Sequence, residues 1–148
     1  MAAITELNVN LCLFAPNIEA VPKVFDDSLV FHSYEPIDLV VPATECDVVV
    51  TNGGLNTVSS CFQAGIPQLV IANNLERYMV GRKLELSGAG ILSSMSSTGT
   101  LSSKLRTILV DRGFPRAAAR CASQYRGEDS TTQLNKMISN IERILGRV

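Results

Sequence analysis

The chain has 148 residues, enough for one domain with a single buried core. Hydrophobic residues make up 46% of it, tryptophan is absent, and acidic and basic residues nearly cancel to a net charge of -1. The missing basic excess argues against nucleic acid and anionic membrane surfaces as partners, and the short apolar runs argue against a membrane span.

The opening residues do not predict a secretory signal, because no basic segment is followed by a long apolar run. The four cysteines (Cys12, Cys46, Cys61 and Cys121) are widely spaced and contain no C-x-x-C pair. They predict reduced, mostly buried thiols in a cytoplasmic protein. A zinc site would also need several histidines, and His32 is the only one. We therefore predict no metal site.

Short apolar runs alternate with helix-like segments over the first two-thirds of the chain. The opening residues 2–7 resemble the end of a helix, whereas a doubly wound domain normally begins with a strand. The predicted strands lie at 9–14, 29–32, 47–51, 68–72 and 91–92, and the predicted helices at 37–45, 54–64 and 76–87. Gly65 and Gly88 stand where two of these helices need a left-handed exit residue.

This alternation predicts an α/β domain of Rossmann-like architecture. It would have a mostly parallel sheet of about five strands with helices on both faces, because several strand runs are continuously rich in valine and isoleucine. We expect the strand that ends at Thr51 to be central. The missing opening strand predicts that residues 1–148 form a single domain that begins inside its fold.

The last third of the chain is predicted to be a helical tail. After a Ser/Thr/Gly-rich connection at 93–103, four apolar residues share one helical face that Gly113 would close. Pro115 suits an early position of the next helix, which would run to Gly127. Ser130 would cap a final helix, predicted to pack on a larger body through an apolar stripe at 3-4 spacing: Leu134, Met137, Ile138, Ile141, Ile144 and Leu145.

The stretch most informative about function joins a buried strand to a helix through a glycine pair, Gly53-Gly54. Backbone N–H groups at a helix start have no partner inside the helix, and the helix dipole adds positive charge there. Such a turn lets a diphosphate approach the backbone, and the Thr57 hydroxyl can donate one more hydrogen bond. A tight turn without any ligand has the same pattern. Neither a P-loop nor a G-x-G-x-x-G fingerprint is present.

The wider sequence from 34 to 90 helps to distinguish a diphosphate-binding turn from a tight turn without a ligand. It contains Tyr34-x-Pro36, C-D-x-V-V-T-N-G-G-x-x-T at 46–57, A-G-I-P-Q-L-V at 64–70, Glu76-Arg77 and G-A-G at 88–90. These motifs and the spacing between them resemble those of the donor-binding domain of two-domain GT-B glycosyltransferases. Members of the UDP-glycosyltransferase and macrolide glycosyltransferase-like families use nucleotide sugars to modify natural products, lipids and steroids.

The resemblance implies a role for ten residues. They divide into a diphosphate-binding group (Asn52, Gly53, Gly54, Asn56 and Thr57), a nucleoside-binding group (Tyr34, Pro36 and Ser60) and a sugar-binding pair (Glu76 and Arg77). The family's catalytic base lies in another, N-terminal domain, so no catalytic residue is expected in this chain. Two alternatives remain: an ordinary half-exposed tyrosine at position 34, Tyr34, and a solvated acid in a first helical turn at position 76, Glu76.

Four positions depart from the family's pattern. Asn52 replaces a histidine, Ser60 a glutamate that commonly binds the ribose, Ala72 a proline, and Arg77 the glutamine of the sugar-binding pair. Arg77 suits a phosphate or an acidic sugar, because its guanidinium binds oxyanions in pairs. A surface salt bridge to Glu76 or Glu85 is the alternative.

These features predict the donor-binding half of a glycosyltransferase that uses a UDP- or dTDP-activated sugar, without a cofactor or metal. The acceptor site would lie on an N-terminal domain or a separate partner chain. The rival interpretations are an epimerase-type GT-B domain and a non-catalytic, partner-dependent nucleotide-binding module. An unpaired sheet edge would also favour self-association.

Overall fold

The computed structural model describes residues 9–14, 30–33, 35, 45–125 and 130–146. Five strands lie within these ranges, close to the five predicted positions, and every pairing between them is parallel. They are β1 (Leu11–Phe14), β2 (Val30–Ser33), β3 (Val49–Thr51), β4 (Gln68–Ala72) and β5 (Gly90–Ser94).

The five strands do not form the single sheet that the sequence predicts. β1 pairs with β2, whereas β3, β4 and β5 form a separate three-stranded sheet in that order. The expected central position of β3 is also wrong: β4 is central, and Gln68, Leu69 and Val70 within it are wholly buried, whereas Val50 of β3 is 46% exposed. Strand periodicity identifies strands, but it does not show which edges meet.

Within the described ranges, five helices lie between and after the last three strands, and one 3-10 segment spans Met95–Thr100. They are α1 (Leu55–Ala64), α2 (Leu75–Leu86), α3 (Leu101–Val110), α4 (Gly113–Ser123) and α5 (Ser130–Ile144). Most of the predicted connection at 93–103 is therefore regular structure. Two predicted helical segments lie outside the described residues: all of 2–7, and all of 37–45 except Glu45.

The boundary between α3 and α4 differs from the prediction. Gly113 does not close α3, which already ends at Val110; instead it is the first residue of α4. Asp111 leaves the helix in an extended conformation, and its carboxylate accepts the N–H of Gly113 at 2.8 Å. An aspartate that bonds the backbone two residues ahead makes this turn without a left-handed glycine. Helix α4 ends at Ser123, short of the predicted Gly127.

Helices cover both faces of the three-stranded sheet, as the sequence predicts. Val70 and Ala72 of β4 share a buried cluster with residues of three helices: Val58 of α1, Leu84 of α2 and Ala118 of α4. The alternate residue, Leu69, packs on the other face against Leu105 and Ile108 of α3. The predicted apolar face of α3 is thereby confirmed.

Helix α2 lies unusually close to the sheet. A Cβ atom at Gly81 would come within 2.6 Å of Leu92 Cδ1 and 2.9 Å of Val70 Cγ1, closer than side chains can pack. Glycine at this position therefore permits the close approach. The predicted left-handed exits are confirmed at Gly65 and Gly88, each with φ 77°.

The final helix exists where the sequence predicts it, but its apolar stripe is not buried. The six stripe residues are 43–79% exposed, so the predicted packing on a larger body is not seen within the described ranges. The helical period comes from the sequence alone, whereas burial of the stripe needs a partner surface. None of the helices in the described parts of the chain has the length and apolarity to cross a bilayer.

The four cysteines are free thiols that differ in exposure. Cys61 and Cys121 are buried, Cys46 is half-buried and Cys12 is exposed, so the predicted burial holds for half of them. Burial raises the pKa of the Cys61 and Cys46 thiols. The Cys46 thiol adds to the rise at Cys61, and the Cys12 thiol and the carboxylates of Asp47 and Glu45 add to the rise at Cys46. These two thiols therefore stay protonated at neutral pH.

The start of α2 yields a stability prediction. Asn74 is the N-cap, and its side-chain oxygen accepts the backbone N–H of Arg77 at 2.9 Å. We expect Asn74→Ala to lower the free energy of unfolding by about 1 kcal/mol, because it removes this cap. Urea denaturation measures the change. Asn73→Ala is the matched control, since Asn73 hydrogen-bonds to the Arg77 side chain and is not the N-cap, and an equal loss in both variants would contradict the capping role.

Candidate functional site

The carboxyl ends of β3, β4 and β5 lie side by side along one edge of the three-stranded sheet. The last residues of β4 and β5, Ala72 and Ser94, are register partners, and Thr51 at the end of β3 is paired with Val70. The two segments that the sequence links to donor binding, 52–57 and 76–77, follow β3 and β4 directly. In open parallel sheets, ligands bind at this edge.

A close contact at Gly53 joins these two segments. Gly53 has φ +86°, a left-handed conformation that other residues rarely adopt. A Cβ atom here would lie 2.9 Å from Val70 Cγ1, 3.1 Å from Arg77 Cβ and 3.2 Å from the Arg77 carbonyl oxygen. The structure thus brings the predicted diphosphate loop against the first turn of α2, which carries the predicted sugar-binding pair.

Two side chains fix the shape of this loop. The Gly53 N–H donates to Thr51 Oγ1 at 3.3 Å, and the Gly54 N–H donates to Asn52 Oδ1 at 3.1 Å. Both N–H groups are therefore engaged within the loop. The oxygen of Asn52 faces the backbone, which leaves its amide NH2 as the group able to donate to a ligand. The sequence pattern did not predict these local bonds.

The start of α1 has no side-chain cap. Its N-cap is Gly54, and the first bond within the helix runs from the Val58 N–H to the Gly54 carbonyl. The N–H groups of Leu55, Asn56 and Thr57 consequently lie in the first turn, where helix geometry provides no acceptor. They are the backbone donors that this edge can offer to an anion.

The other predicted residues of this group lie on α1 or outside the described ranges. Thr57 is half-buried in the first turn, whereas Asn56 and Ser60 are exposed and, being four residues apart, share one helix face. Tyr34 and Pro36 lie outside the described residues, so their predicted contact with the nucleoside stays a prediction.

The predicted sugar-binding pair lies in the first turn of α2. Glu76 is exposed, and Arg77 is half-buried with its Nη1 donating to Asn73 Oδ1 at 2.9 Å. Neither form of the alternative, a salt bridge from Arg77 to Glu76 or to Glu85, is present among these described residues, where the ion pair joins Arg82 to Glu85.

Sequence reasoning missed the two asparagines before α2. Asn74 caps the helix and Asn73 binds the Arg77 side chain. The available signal was their position directly before a helix start, where asparagine is a preferred residue. As for metals, no three His, Cys, Asp or Glu side chains within the described ranges are grouped so that they could hold an ion.

Comparison with solved structures defines the class of domain. The chain superimposes on the spinosyn rhamnosyltransferase SpnG, complexed with thymidine diphosphate, with a TM-score of 0.78 and 26% identity over 93% of this chain and 38% of that one. Glycosyltransferase VinC in complex with dTDP gives 0.75 and 19% identity, over 99% and 37%. The fold is that of one domain of a GT-B glycosyltransferase, which confirms the α/β Rossmann-like class.

The sequence comparisons identify the family. Residues 16–141 match the profile described as "Erythromycin biosynthesis protein CIII-like, C-terminal domain", and the chain belongs to that family. It is 30% identical over 93 residues to elloramycin glycosyltransferase ElmGT of Streptomyces olivaceus, covering 63% of this chain and 23% of that protein. Sterol 3-beta-glucosyltransferase of Vanderwaltozyma polyspora is 26% identical over 108 residues, covering 72% and 9%. The chain therefore spans less than a quarter of these relatives.

The glycine pair allows a matched test of the loop. We expect Gly53→Ala to destabilise the domain by about 2–4 kcal/mol, because it combines left-handed strain with overlap against Val70 and Arg77. Gly54 has φ −60° and only ordinary contact at its Cβ position, 3.6 Å from Asn52 Oδ1. We expect Gly54→Ala to cost less than about 1 kcal/mol. Urea denaturation of both variants measures the difference, and equal stabilities would contradict the close packing.

Proposed function

We propose that this chain is the donor-binding half of a glycosyltransferase that transfers a sugar from a nucleoside-diphosphate sugar to an acceptor hydroxyl. The carrying observation is the contact of Gly53 with the first turn of α2, which sets the uncapped start of α1 beside Arg77. The names of the relatives support a transferase. Two structural relatives are complexed with thymidine diphosphate, which supports a dTDP donor, with UDP as the other candidate.

The diphosphate is the leaving group in this proposal, and the role of the chain is to hold it and stabilise its charge. The first-turn N–H groups of α1, the Thr57 hydroxyl and the Asn52 amide would donate hydrogen bonds to it. Positive charge comes from the helix dipole and from the Arg77 guanidinium. These groups can act without a metal or cofactor, as the family resemblance implies.

The other contacts follow from the position of the diphosphate. Glu76 and Arg77 would bind the sugar from the start of α2, while Tyr34, Pro36 and Ser60 would bind the nucleoside. The support for Ser60 is that it shares an exposed face of α1 with Asn56, one turn beyond the proposed diphosphate site.

The catalytic base and the acceptor site would belong to an N-terminal domain or a separate partner chain. Support comes from length, because the chain covers only 37–38% of the GT-B enzymes whose fold it shares. We propose that residues 1–148 form one domain. A cytoplasmic location is part of this proposal, and free cysteines agree with a reducing compartment.

One observation favours the rival interpretation of a non-catalytic, partner-dependent module. The N–H groups of Gly53 and Gly54 already bond to Thr51 and Asn52, so the loop offers a ligand fewer donors than its glycines suggest. A chain that binds no nucleotide would favour the module, whereas the donor-binding half predicts measurable binding. We expect a dissociation constant on the order of 0.1–1 mM for the chain alone, about 4–5.5 kcal/mol.

The Thr57 hydroxyl provides the direct test. We expect Thr57→Val to weaken dTDP or UDP binding about tenfold, since a hydrogen bond to a charged group contributes about 1.5 kcal/mol at its lower limit. Calorimetric or NMR titration measures the affinity. Thr107→Val is the matched control, because Thr107 lies on α3 and donates to the Ser103 carbonyl. Equal affinity in Thr57→Val and the unaltered chain would refute the proposed role of Thr57.

A further inference from the structure

Arg77 is held at three points, one on its backbone and two on its side chain. Its backbone N–H donates to Asn74 Oδ1 at 2.9 Å. Its Cβ lies against Gly53, 3.1 Å from where a Cβ of that residue would be. Its Nη1 donates to Asn73 Oδ1 at 2.9 Å. A long, half-exposed arginine that is fixed at its base and at its tip has lost much of its rotamer freedom before any ligand arrives.

The charge on Arg77 is not neutralised by this arrangement. The partner at the tip is a neutral amide oxygen, and within the described ranges the ion pair on α2 joins Arg82 to Glu85. The other carboxylate oxygen of Glu85 accepts the N–H of Leu92. A guanidinium carries five N–H donors in a planar fork, so one bond to Asn73 leaves donors for an oxyanion.

We propose that Asn73 is a positioning residue that presents Arg77 as the anion-binding group of the donor site, a proposal that rests on the proposed function. The ligand group is an oxyanion of the donor, supplied by its diphosphate or by a carboxylate on its sugar. The neutral acceptor at position 73 orients the guanidinium and preserves its charge for the ligand. A carboxylate there would orient it equally and cancel that charge.

The experiment compares variants of the 148-residue chain by NMR titration with dTDP, UDP-glucose and UDP-glucuronate. Arg77→Gln removes the cation, and Asn73→Asp keeps the acceptor but neutralises the cation. Arg82→Gln is the matched control, an exposed arginine on the same helix that pairs with Glu85. We expect Arg77→Gln and Asn73→Asp to weaken anion binding about threefold to tenfold, a range reduced for solvent screening. The control should change it less than about twofold.

The three ligands identify the source of the anion. If Arg77 binds the diphosphate, affinity for all three ligands falls together in Arg77→Gln. If it binds a sugar carboxylate, only UDP-glucuronate loses affinity. Either result supports the proposal.

Thermal unfolding separates positioning from a structural role. Asn73→Ala, which removes the acceptor and adds no charge, should unfold at nearly the same temperature as the unaltered chain and yet bind more weakly, whereas an Asn73 that does not position Arg77 predicts unchanged binding. Unchanged affinity of Arg77→Gln and Asn73→Ala for all three ligands, in a chain that binds dTDP, would overturn this inference alone. A chain that binds none of the ligands would overturn the proposed function and this inference with it.

Discussion

The candidate site depends on the lack of space at Gly53. The loop after β3 passes between Val70 of the central strand and the first turn of α2, where no side chain fits. Because Gly53 takes a left-handed conformation there, α1 starts at the sheet edge with its first turn uncapped. The loop after β3 and the first turn of α2 thereby meet by packing, at the contact of Gly53 with Arg77. This packing fixes the distance between a helix start and a cation, which is the property an anion site needs.

Helix α2 also approaches the three-stranded sheet closely at Gly81, on the buried side of β4. Gly81 lets α2 lie against Leu92 and Val70, and Val70 is the same residue that limits the space at Gly53. The position of the α2 start therefore depends on the buried side of β4 as well as on the loop. A substitution that changes the size of the Val70 side chain would alter both contacts, so packing in the core affects the geometry of the site. In contrast, the apolar stripe of α5 remains exposed and contributes nothing to the described site.

The sequence predicts strand positions well, because valine-rich runs and glycine exits are local signals. The family resemblance predicts Gly53, Thr57 and Arg77 as site residues, and the structure shows that Gly53 packs against Arg77. Three features escape it for physical reasons. The role of Asn73 depends on a side-chain bond, the edge position of β3 depends on which strands meet, and the turn at Asp111 replaces the expected glycine exit. Each depends on contacts that no periodicity encodes.

The proposed function requires the start of α1 and the first turn of α2 to form one anion site. Titration of the isotope-labelled chain with dTDP, followed by amide chemical shifts, measures whether they do. We expect the amides of Gly54, Thr57 and Arg77 to shift together and to saturate with one dissociation constant. Shifts at the α1 start without any at Arg77, or shifts confined to α3 and α5, would contradict it.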